Sequence, residues 1–402
     1  MRDYRGGMCK LTAIPAAAGL AVLIAACGAS ARPAADTWVA ASGTASPGEG
    51  AVVPRSEGTE YVNLIDLAAP GLGLVGLGTG AQGTGSARLV VSRDNGRTFT
   101  AIGPATAAGT TTDDVFFRDR EVGWFVVFNL DTTADTLYRT TDGGHTWRAS
   151  SVVGHVIAAG SQDSVQFVSG THGWLLSLQP TGPLEALAVT SDGGATWHWV
   201  SSLYPTAGEG LLPKPGLVRF TSGTTGWLGG DPYSQALYRT VDGGRTWRHV
   251  DVPAPPGSLF GLPVAVGRTV IEPVITGTSL ALYRSSDDGA RWSRISVLPG
   301  ANAEPGCSIT PVSVSLPSPA GGWIATVRDR RTVVYRTVDG GRHWARVAAS
   351  WPVAPGTCEA PVIQSTGTLQ AWVLTAGSDR IYATSSGGAA WSRIDTAAVA
   401  AR

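Results

Sequence analysis

The 402-residue chain contains 53 glycines and 25 prolines, and only 15% of its residues are charged, which favours a turn-rich all-β protein. Its 30 basic and 30 acidic residues give a formal net charge of zero. Because the basic side chains form no stripe along the sequence, composition argues against a nucleic-acid-binding surface, and we expect no nucleic-acid partner.

Residues 1–26 have the pattern of an export signal. A basic start is followed by an apolar run, Leu11 to Ala26, that is too short for an ordinary membrane-spanning helix. The run ends Ile24-Ala25-Ala26-Cys27, which resembles the bacterial lipobox. That resemblance implies cleavage before Cys27 and lipidation of this cysteine, so we predict an extracytoplasmic bacterial lipoprotein anchored to the cell membrane. A plain signal peptide with a chance cysteine is the alternative.

Residues 27–58 are rich in alanine, glycine, serine and proline and show little periodicity. This composition predicts a flexible tether. Trp38 stands out as a large apolar side chain. It is either an isolated residue or the start of a strand that closes the domain that follows.

One motif, Ser/Thr-x-Asp-x-Gly-x-x-aromatic, recurs through residues 59–402. Its Asp positions are Asp94, Asp142, Asp192, Asp242, Asp287 and Asp339, and a seventh copy has Ser386 in that position. Successive copies lie 48, 50, 50, 45, 52 and 47 residues apart. A period near 50 residues, held seven times, predicts a repeat architecture.

Each copy of the motif has the pattern of a β-hairpin. In the fourth copy, the alternating run Leu237-Tyr238-Arg239 precedes an Asp-Gly-Gly turn, and Trp247-Arg248-His249-Val250 follows it. The glycines supply a positive φ, the Asp accepts hydrogen bonds from the turn backbone, and the aromatic side chain is buried against a neighbour. We therefore predict a structural role for the repeated Asp residues.

A second pattern precedes most copies of the motif. A tryptophan lies 18, 18, 15, 16 and 14 residues before the Asp or Ser position in five repeats, as Gly123-Trp124, Gly173-Trp174, Gly226-Trp227, Gly322-Trp323 and Ala371-Trp372. Because this spacing is similar in all five repeats, we predict that the tryptophan lies on a second strand in every repeat except the first and fifth. The two patterns together predict seven repeats of four strands.

The first motif resembles the Asp-box, or BNR repeat, of sialidases, sortilin-type receptors, xyloglucan-active glycosidases and photosystem II assembly factors. The resemblance implies an all-β, seven-bladed β-propeller with four-stranded antiparallel blades over residues 59–402. It also implies that each box lies between the third and fourth strands, on the face opposite the usual ligand face. The combination with Gly-Trp is most similar to the photosystem II assembly factor-like and sortilin-like branch.

Two cysteines beyond the export signal occupy one phase of the repeat. Cys307 lies 32 residues before Asp339, and Cys358 lies 28 residues before Ser386. Neighbouring loops on one face could bring the two within bridging distance, and outside the cytoplasm we expect a disulfide. Two unpaired buried thiols are the alternative.

Catalytic and metal-binding patterns are weak in this sequence. The Phe/Tyr-Arg-Ile-Pro stretch that the sialidase resemblance would imply does not occur. A glycosidase needs two converging carboxylates, and sequence pairs no two of the acids predicted on ligand-face loops, which are Asp113, Asp114, Asp163, Glu209, Asp231, Glu304, Asp329 and Glu359. The histidines never show paired ligand spacing. We therefore predict no catalytic residue, no metal and no cofactor, with a carbohydrate-active hydrolase as the alternative.

The remaining candidate is the ligand face of the propeller. The residues predicted there are Tyr204, Glu209, Lys214, Asp231, Tyr233, Phe260, Arg328, Asp329, Arg330 and Arg331. Aromatic side chains beside charges suit a protein or glycan partner, and the arginine run is either a solvated turn or a contact for an anion or acidic partner. We predict a monomeric, non-catalytic binding or assembly module.

Overall fold

The computed structural model describes residues 37–39, 42–45, 61–78, 85–129, 134–151, 164–177, 186–202, 215–230, 236–277, 279–298, 312–354, 357, 360–377 and 380–394. The regular structure of these residues is entirely β, with 31 strands. None of them belongs to a helix that could cross a membrane. The predicted all-β class is confirmed.

Two short strands come first, β1 (Thr37–Val39) and β2 (Ser42–Ala45). Blade one contains β3 (Tyr61–Ala69), β4 (Leu72–Gly78), β5 (Ala87–Ser92) and β6 (Thr100–Ala101). Blade two contains β7 (Thr110–Phe117), β8 (Gly123–Asn129), β9 (Ala134–Thr140) and β10 (Trp147–Ser151). Blade three contains β11 (Ser164–Phe167), β12 (Gly173–Ser177), β13 (Ala186–Thr190) and β14 (Thr196–Ser202).

Blade four contains β15 (Pro215–Phe220), β16 (Gly226–Gly230), β17 (Tyr238–Thr240) and β18 (Arg248–His249). Blade five has a first strand in two pieces and contains β19 (Leu259–Phe260), β20 (Val264–Val266), β21 (Thr269–Thr276), β22 (Ser279–Ser285) and β23 (Ser293–Leu298). Blade six contains β24 (Val312–Ser315), β25 (Gly322–Arg328), β26 (Arg331–Thr337) and β27 (Ala345–Pro352). Blade seven contains β28 (Val362–Ser365), β29 (Ala371–Leu374), β30 (Ile381–Thr384) and β31 (Ser392–Ile394).

Within each blade, strands adjacent in sequence pair antiparallel, and the resulting sheets form a seven-bladed propeller. Every box lies between the third and fourth strands of its blade, as the Asp-box resemblance implied. In an antiparallel blade, the turns after the first and third strands lie at one end. The boxes therefore share one face of the propeller, which we call the box face.

Strands β1 and β2 lie within the segment that composition assigns to a tether. Strand β1 pairs antiparallel with β14, the outermost strand of blade three, and β2 pairs in the same way with β10 of blade two. Trp38 therefore does lie in a strand. That strand extends blade three, however, and takes no part in closing the ring.

The hydrophobic core is divided into layers between adjacent blades. One such layer joins Val75 and Val90 of blade one to Trp372 and Ile381 of blade seven. Blade seven has four strands of its own among the described residues. Among the described residues, the first and last blades are therefore joined by side-chain packing, and they share no strand.

The second-strand tryptophans connect the blades that carry them to the next blade. Trp124 of blade two is fully buried and stacks on Phe167 of blade three, with ring centroids 3.6 Å apart. Its Nε1–H donates to the carbonyl of Gly193, in the box of blade three, over 3.0 Å. Trp174 repeats this arrangement one blade further on, with a bond of 3.1 Å to the Gly243 carbonyl.

In blades two, three and four, the glycine before the tryptophan makes room for a phenyl ring. Gly173 lies opposite Phe167 in the pairing of β11 with β12, and a Cβ at this glycine would lie 2.4 Å from the phenyl ring. In blades one and five, the register puts Leu74 and Ile271 in the tryptophan position. The two blades predicted to lack this tryptophan therefore carry aliphatic residues there.

Candidate functional site

The box of blade four shows how the repeated Asp is used. Asp242 Oδ1 accepts the Thr246 N–H at 2.9 Å and the Thr240 hydroxyl at 2.8 Å, and Oδ2 accepts the Thr246 hydroxyl at 2.6 Å. The Gly243 N–H donates to the carbonyl of Thr224, in the first turn of the same blade, over 2.9 Å. The carboxylate and the turn are thus fixed to their own blade.

The same bond from the backbone N–H four residues on to Oδ1 recurs at the other boxes, at Asp94, Asp142, Asp192, Asp287 and Asp339. Partial burial acts to raise the pKa of Asp242, but hydrogen bonds from Thr246 and Thr240 outweigh it and lower the pKa to about 2. The carboxylate is therefore ionised at neutral pH. Both its oxygens are engaged inside the hairpin, which agrees with a structural role.

Box seven has a single hydroxyl in place of the carboxylate. Ser386 Oγ accepts the Ala390 N–H at 2.9 Å, and the Thr384 hydroxyl lies 3.3 Å from it. A serine offers one oxygen where aspartate offers two and carries no charge. This hairpin therefore has weaker internal bonding than the other six.

We expect Asp242→Ala to lower the free energy of unfolding by about 1–2 kcal/mol, because three donors lose a charged acceptor at a partly exposed site. Ser386→Asp should raise it by a smaller amount. Thermal unfolding of both variants beside the parent, with hydrogen exchange at each hairpin, measures these changes. If Asp242→Ala kept parental stability but lost ligand binding, the boxes would be binding sites and not structural elements.

Side chains of the inner strands connect neighbouring blades around the central channel. Asp66 of β3 accepts the N–H of Phe117 in β7 at 3.2 Å. Asp114 of β7 accepts the N–H of Val165 in β11 at 2.8 Å. These bonds partner backbone groups on strands that lie at the edge of their sheets.

The same kind of connection continues around the ring. Gln166 of β11 accepts the N–H of Phe220 at 2.7 Å and donates to its carbonyl at 2.6 Å. Arg219 of β15 donates to the carbonyl of Pro263 at 2.9 Å, between the two pieces of the first strand of blade five. The polar side chains of the channel thus bind the propeller's own backbone.

Burial changes the acidity of the two channel aspartates. It raises the pKa of Asp66 to about 6, although the Phe117 and Leu67 N–H groups oppose the change. It raises the pKa of Asp114 to about 7, and the nearby Asp66 adds to the increase. Asp114, predicted on a ligand-face loop, lies instead in β7 and serves to join two blades.

A third acid lies between blades four and five. Glu272 of β21 is fully buried, and neither of its carboxylate oxygens has a hydrogen-bond partner among the described residues. Burial raises its pKa well above the ordinary value, and the nearby Gly261 N–H and Arg219 guanidinium oppose this only in part.

Half of the predicted ligand-face residues, together with the predicted lipidation site and disulfide, lie outside the described residues. These are Tyr204, Glu209, Lys214, Asp231, Tyr233, Cys27, Cys307 and Cys358. Phe260 lies in β19, where it is half-buried and packs against Val274 and Tyr283. Part of its ring therefore belongs to the core of blade five.

The arginine run forms a tight turn between β25 and β26, on the face opposite the boxes. Asp329 and Arg330 are exposed and have φ of 51° and 56°. Arg328 Nε lies 3.4 Å from Asp329 Oδ2. Arg331 donates to the Ser350 hydroxyl and carbonyl, each at 2.9 Å. The run is thus an ordered turn that presents guanidinium groups on this face.

Sequence analysis did not single out Asp66, Gln166, Arg219 or Glu272. A pattern was nevertheless present, because Asp66, Asp114, Gln166 and Arg219 are 48, 52 and 53 residues apart. Each occupies the first strand of its blade. Among the described residues, no cluster of three or more potential metal ligands occurs.

The family described as photosynthesis system II assembly factor YCF48 matches residues 155–298. A structure of YCF48 bound to D1 peptide is similar, with a TM-score of 0.52 and 12% identity over 83% of this chain and 96% of that chain. YCF48 from Cyanidioschyzon merolae is also similar, with a TM-score of 0.52 and 15% identity over 82% of this chain and 97% of that chain. A Mycobacterium tuberculosis puromycin-hydrolyzing peptidase has a TM-score of 0.56 and 12% identity over 83% of this chain and 53% of that chain. No curated protein matches the sequence.

Identities of 12–15% to solved structures show a common fold and nothing finer. An assembly factor and a peptidase both share it, so the propeller by itself does not distinguish binding from catalysis. The family match is more specific, because it covers the repeats in which the Gly-Trp pattern precedes the boxes of blades three and four.

Proposed function

We propose that this chain, an Asp-box (BNR-repeat) β-propeller similar to photosystem II assembly factors, is a non-catalytic module that binds a segment of another protein. The observation that carries this proposal is the match to the YCF48 family, together with the YCF48 structure that has a bound D1 peptide. A propeller of this architecture can therefore receive a peptide. We place the partner on the face opposite the boxes.

The chemistry of the acids in the described residues also supports binding rather than glycoside hydrolysis. Asp66 and Asp114 accept backbone N–H groups of the next blade, and the box carboxylates are enclosed by their own hairpins. A glycosidase needs one carboxyl group that protonates the leaving group and a second that faces the sugar. Carboxylates already committed to the backbone fit a structural role better.

We propose that the protein acts outside the cytoplasmic membrane and is held there by a lipid on Cys27. The support is the sequence Ile24-Ala25-Ala26-Cys27 after an apolar run of 16 residues. A single acyl chain anchors a protein only marginally, so we expect two or three acyl chains. The partner would then be an exported or membrane protein.

Cys27→Ala should release the protein from the membrane fraction or leave it unprocessed, because the thiol that carries the lipid is gone. Membrane fractionation and mass spectrometry of the mature chain measure both effects. An unchanged mature mass and unchanged membrane association in the variant would show that Cys27 is not the anchor.

The partner can be identified by immobilising the mature chain and exposing it to membrane extract. The same capture is then repeated with two matched variants. Arg330→Glu reverses a charge on the face opposite the boxes, and Arg342→Glu reverses one on the box face. Both arginines are exposed. We expect Arg330→Glu to weaken capture of the protein partner and Arg342→Glu to leave it unchanged.

Two results would contradict the proposed function. One is loss of capture in Arg342→Glu with capture retained in Arg330→Glu, which would place the partner on the box face. The other is release of sugars from a polysaccharide by the parent chain with no protein captured. That result would favour the carbohydrate-active hydrolase that sequence analysis left as the alternative.

A further inference from the structure

The seam between the last and first blades contains a pocket on the box face. Its volume is about 400 Å³. Its polar lining comes from box one and from the box and last strand of blade seven, as Asn95, Arg97, Ser385, Ser386, Ser392 and Arg393. Pockets of this volume are large enough for a small molecule.

The described lining of this pocket is positively charged. Arg97 and Arg393 are exposed, and none of the described residues that line the pocket carries a carboxylate. The other six boxes place an aspartate where Ser386 stands, so the missing box carboxylate falls at the seam whose pocket is lined by two arginines. The replacement in box seven therefore removes a negative charge at this particular place.

The carboxylate of box one is ionised, but both its oxygens are bonded within its own hairpin. Asp94 Oδ1 accepts the N–H groups of Arg97 at 3.0 Å and Thr98 at 2.8 Å, and its Oδ2 accepts the Thr98 hydroxyl at 2.6 Å. The backbone of Arg97 is thus fixed to the box turn by its bond to Asp94. Its side chain lines the pocket.

The remaining polar groups are mainly donors. Asn95 accepts the Trp372 Nε1–H through its side-chain oxygen at 3.0 Å, so its amide nitrogen carries the donors that are left. Ser385 and Ser392 are exposed hydroxyls. Guanidinium groups and hydroxyls are the side chains that recognise phosphate, because arginine can give two parallel N–H···O bonds.

We propose that the seam pocket binds a phosphate group, carried either by a small phosphate ester or by a lipid headgroup. The pocket is larger than one phosphate, so it also accommodates part of the group that carries it. It lies on the box face, away from the protein-binding face proposed above. It is therefore a separate site, and its test does not depend on the protein partner.

The test uses the full mature chain with inorganic phosphate as the probe, at constant ionic strength, followed by calorimetry and thermal unfolding. We expect saturable binding to the parent. Arg97→Ala and Arg393→Ala should each weaken it on the order of tenfold, because each removes a charge-assisted contact. Ser386→Asp should also weaken binding, although it raises the thermal midpoint measured without phosphate.

Blades five and six supply matched controls. Arg342 of blade six and Arg294 of blade five stand at the box and last-strand positions that correspond to Arg97 and Arg393, but Asp287 occupies the position of Ser386. Arg342→Ala and Arg294→Ala should leave phosphate binding unchanged. Equal losses in these controls would overturn the proposal, as would parental binding in a folded Ser386→Asp variant or no binding by the parent.

Two further probes distinguish the sources of the phosphate. Glycerol 3-phosphate represents a free ester, and vesicles with phosphatidylglycerol, compared with vesicles of phosphatidylcholine alone, represent a headgroup. Tighter binding of glycerol 3-phosphate than of inorganic phosphate supports an ester. Arg97-dependent sedimentation with phosphatidylglycerol supports a headgroup. Failure of both probes, with inorganic phosphate also unbound, overturns the proposal.

Discussion

Replacing Trp124 by alanine should lower the free energy of unfolding by about 3–5 kcal/mol, the usual range for removing a large buried aromatic side chain. The indole is fully buried and stacks on Phe167. Its Nε1–H also bonds to Gly193 in the box of the next blade. The substitution therefore leaves a cavity between two blades and an unpartnered carbonyl. Urea unfolding, monitored by circular dichroism, measures the change.

Trp124→Phe is the matched control. It keeps an aromatic ring against Phe167 but removes the bond to Gly193, so we expect a loss of only about 1–2 kcal/mol. The difference between the two variants separates packing from hydrogen bonding. A loss below about 1 kcal/mol for Trp124→Ala would show that the inter-blade layers depend little on this indole.

The protein should become more stable when the pH falls from 8 to 5. The pKa of Asp66 is raised from 3.8 to about 6 and that of Asp114 from 3.8 to about 7. Between about pH 4 and 7, the folded chain holds protons that the unfolded chain has released, so stability decreases as pH rises. Glu272, whose pKa is also raised, acts in the same direction.

At about 1.4 kcal/mol per pH unit, the full pKa shifts of Asp66 and Asp114 correspond to roughly 3 and 4 kcal/mol of unfolding free energy. Both keep part of their surface exposed. Between pH 8 and 5 only about three of these pH units are covered, roughly 4 kcal/mol, and we expect about half of that, roughly 2 kcal/mol, because of the exposure. Thermal midpoints across this range measure the effect. Asp114→Asn should flatten the dependence, because it removes a titrating group while keeping an acceptor for the Val165 N–H.

The box aspartates act in the opposite direction at lower pH. The pKa of Asp94 and of Asp242 is lowered to about 2, so their contribution is present above about pH 4 and is lost as pH falls towards 2. We therefore expect maximal stability between about pH 4 and 5. A midpoint that rises steadily from pH 5 to pH 8 would show that the channel aspartates are ionised without penalty.

The blades were predictable because their determinants are local. An Asp-box fixes a hairpin within eight residues, and the tryptophan at constant phase fixes the strand before it. Ring closure was not predictable in this way. The bond from Trp372 to Asn95 joins residues 277 positions apart, and nothing in the local sequence indicates which side chains meet there.

The polar residues of the channel were harder to recognise for a different reason. Asp66 interrupts an apolar strand, and its partner, the Phe117 N–H, is a backbone group on the next blade. A backbone N–H is present in nearly every residue type, so a side chain that bonds to it requires no particular residue at the partner position. The sequence therefore contains no pair of residues by which the contact could be recognised. The carboxylate oxygens of Glu272 have no hydrogen-bond partner in the described structure, so even its role between blades four and five depends on burial, which sequence does not give.

If Cys27 carries the lipid proposed above, the pairing of β1 and β2 with the outer edges of blades three and two limits how far the propeller can extend from that anchor. Ten residues separate Cys27 from Thr37, so the chain between them spans at most about 35 Å. If those strands detached, 34 residues would separate Cys27 from Tyr61, and the span would grow to about 120 Å. Under that proposal, two short strands of backbone pairing set whether the proposed binding face lies close to the membrane surface or well beyond it.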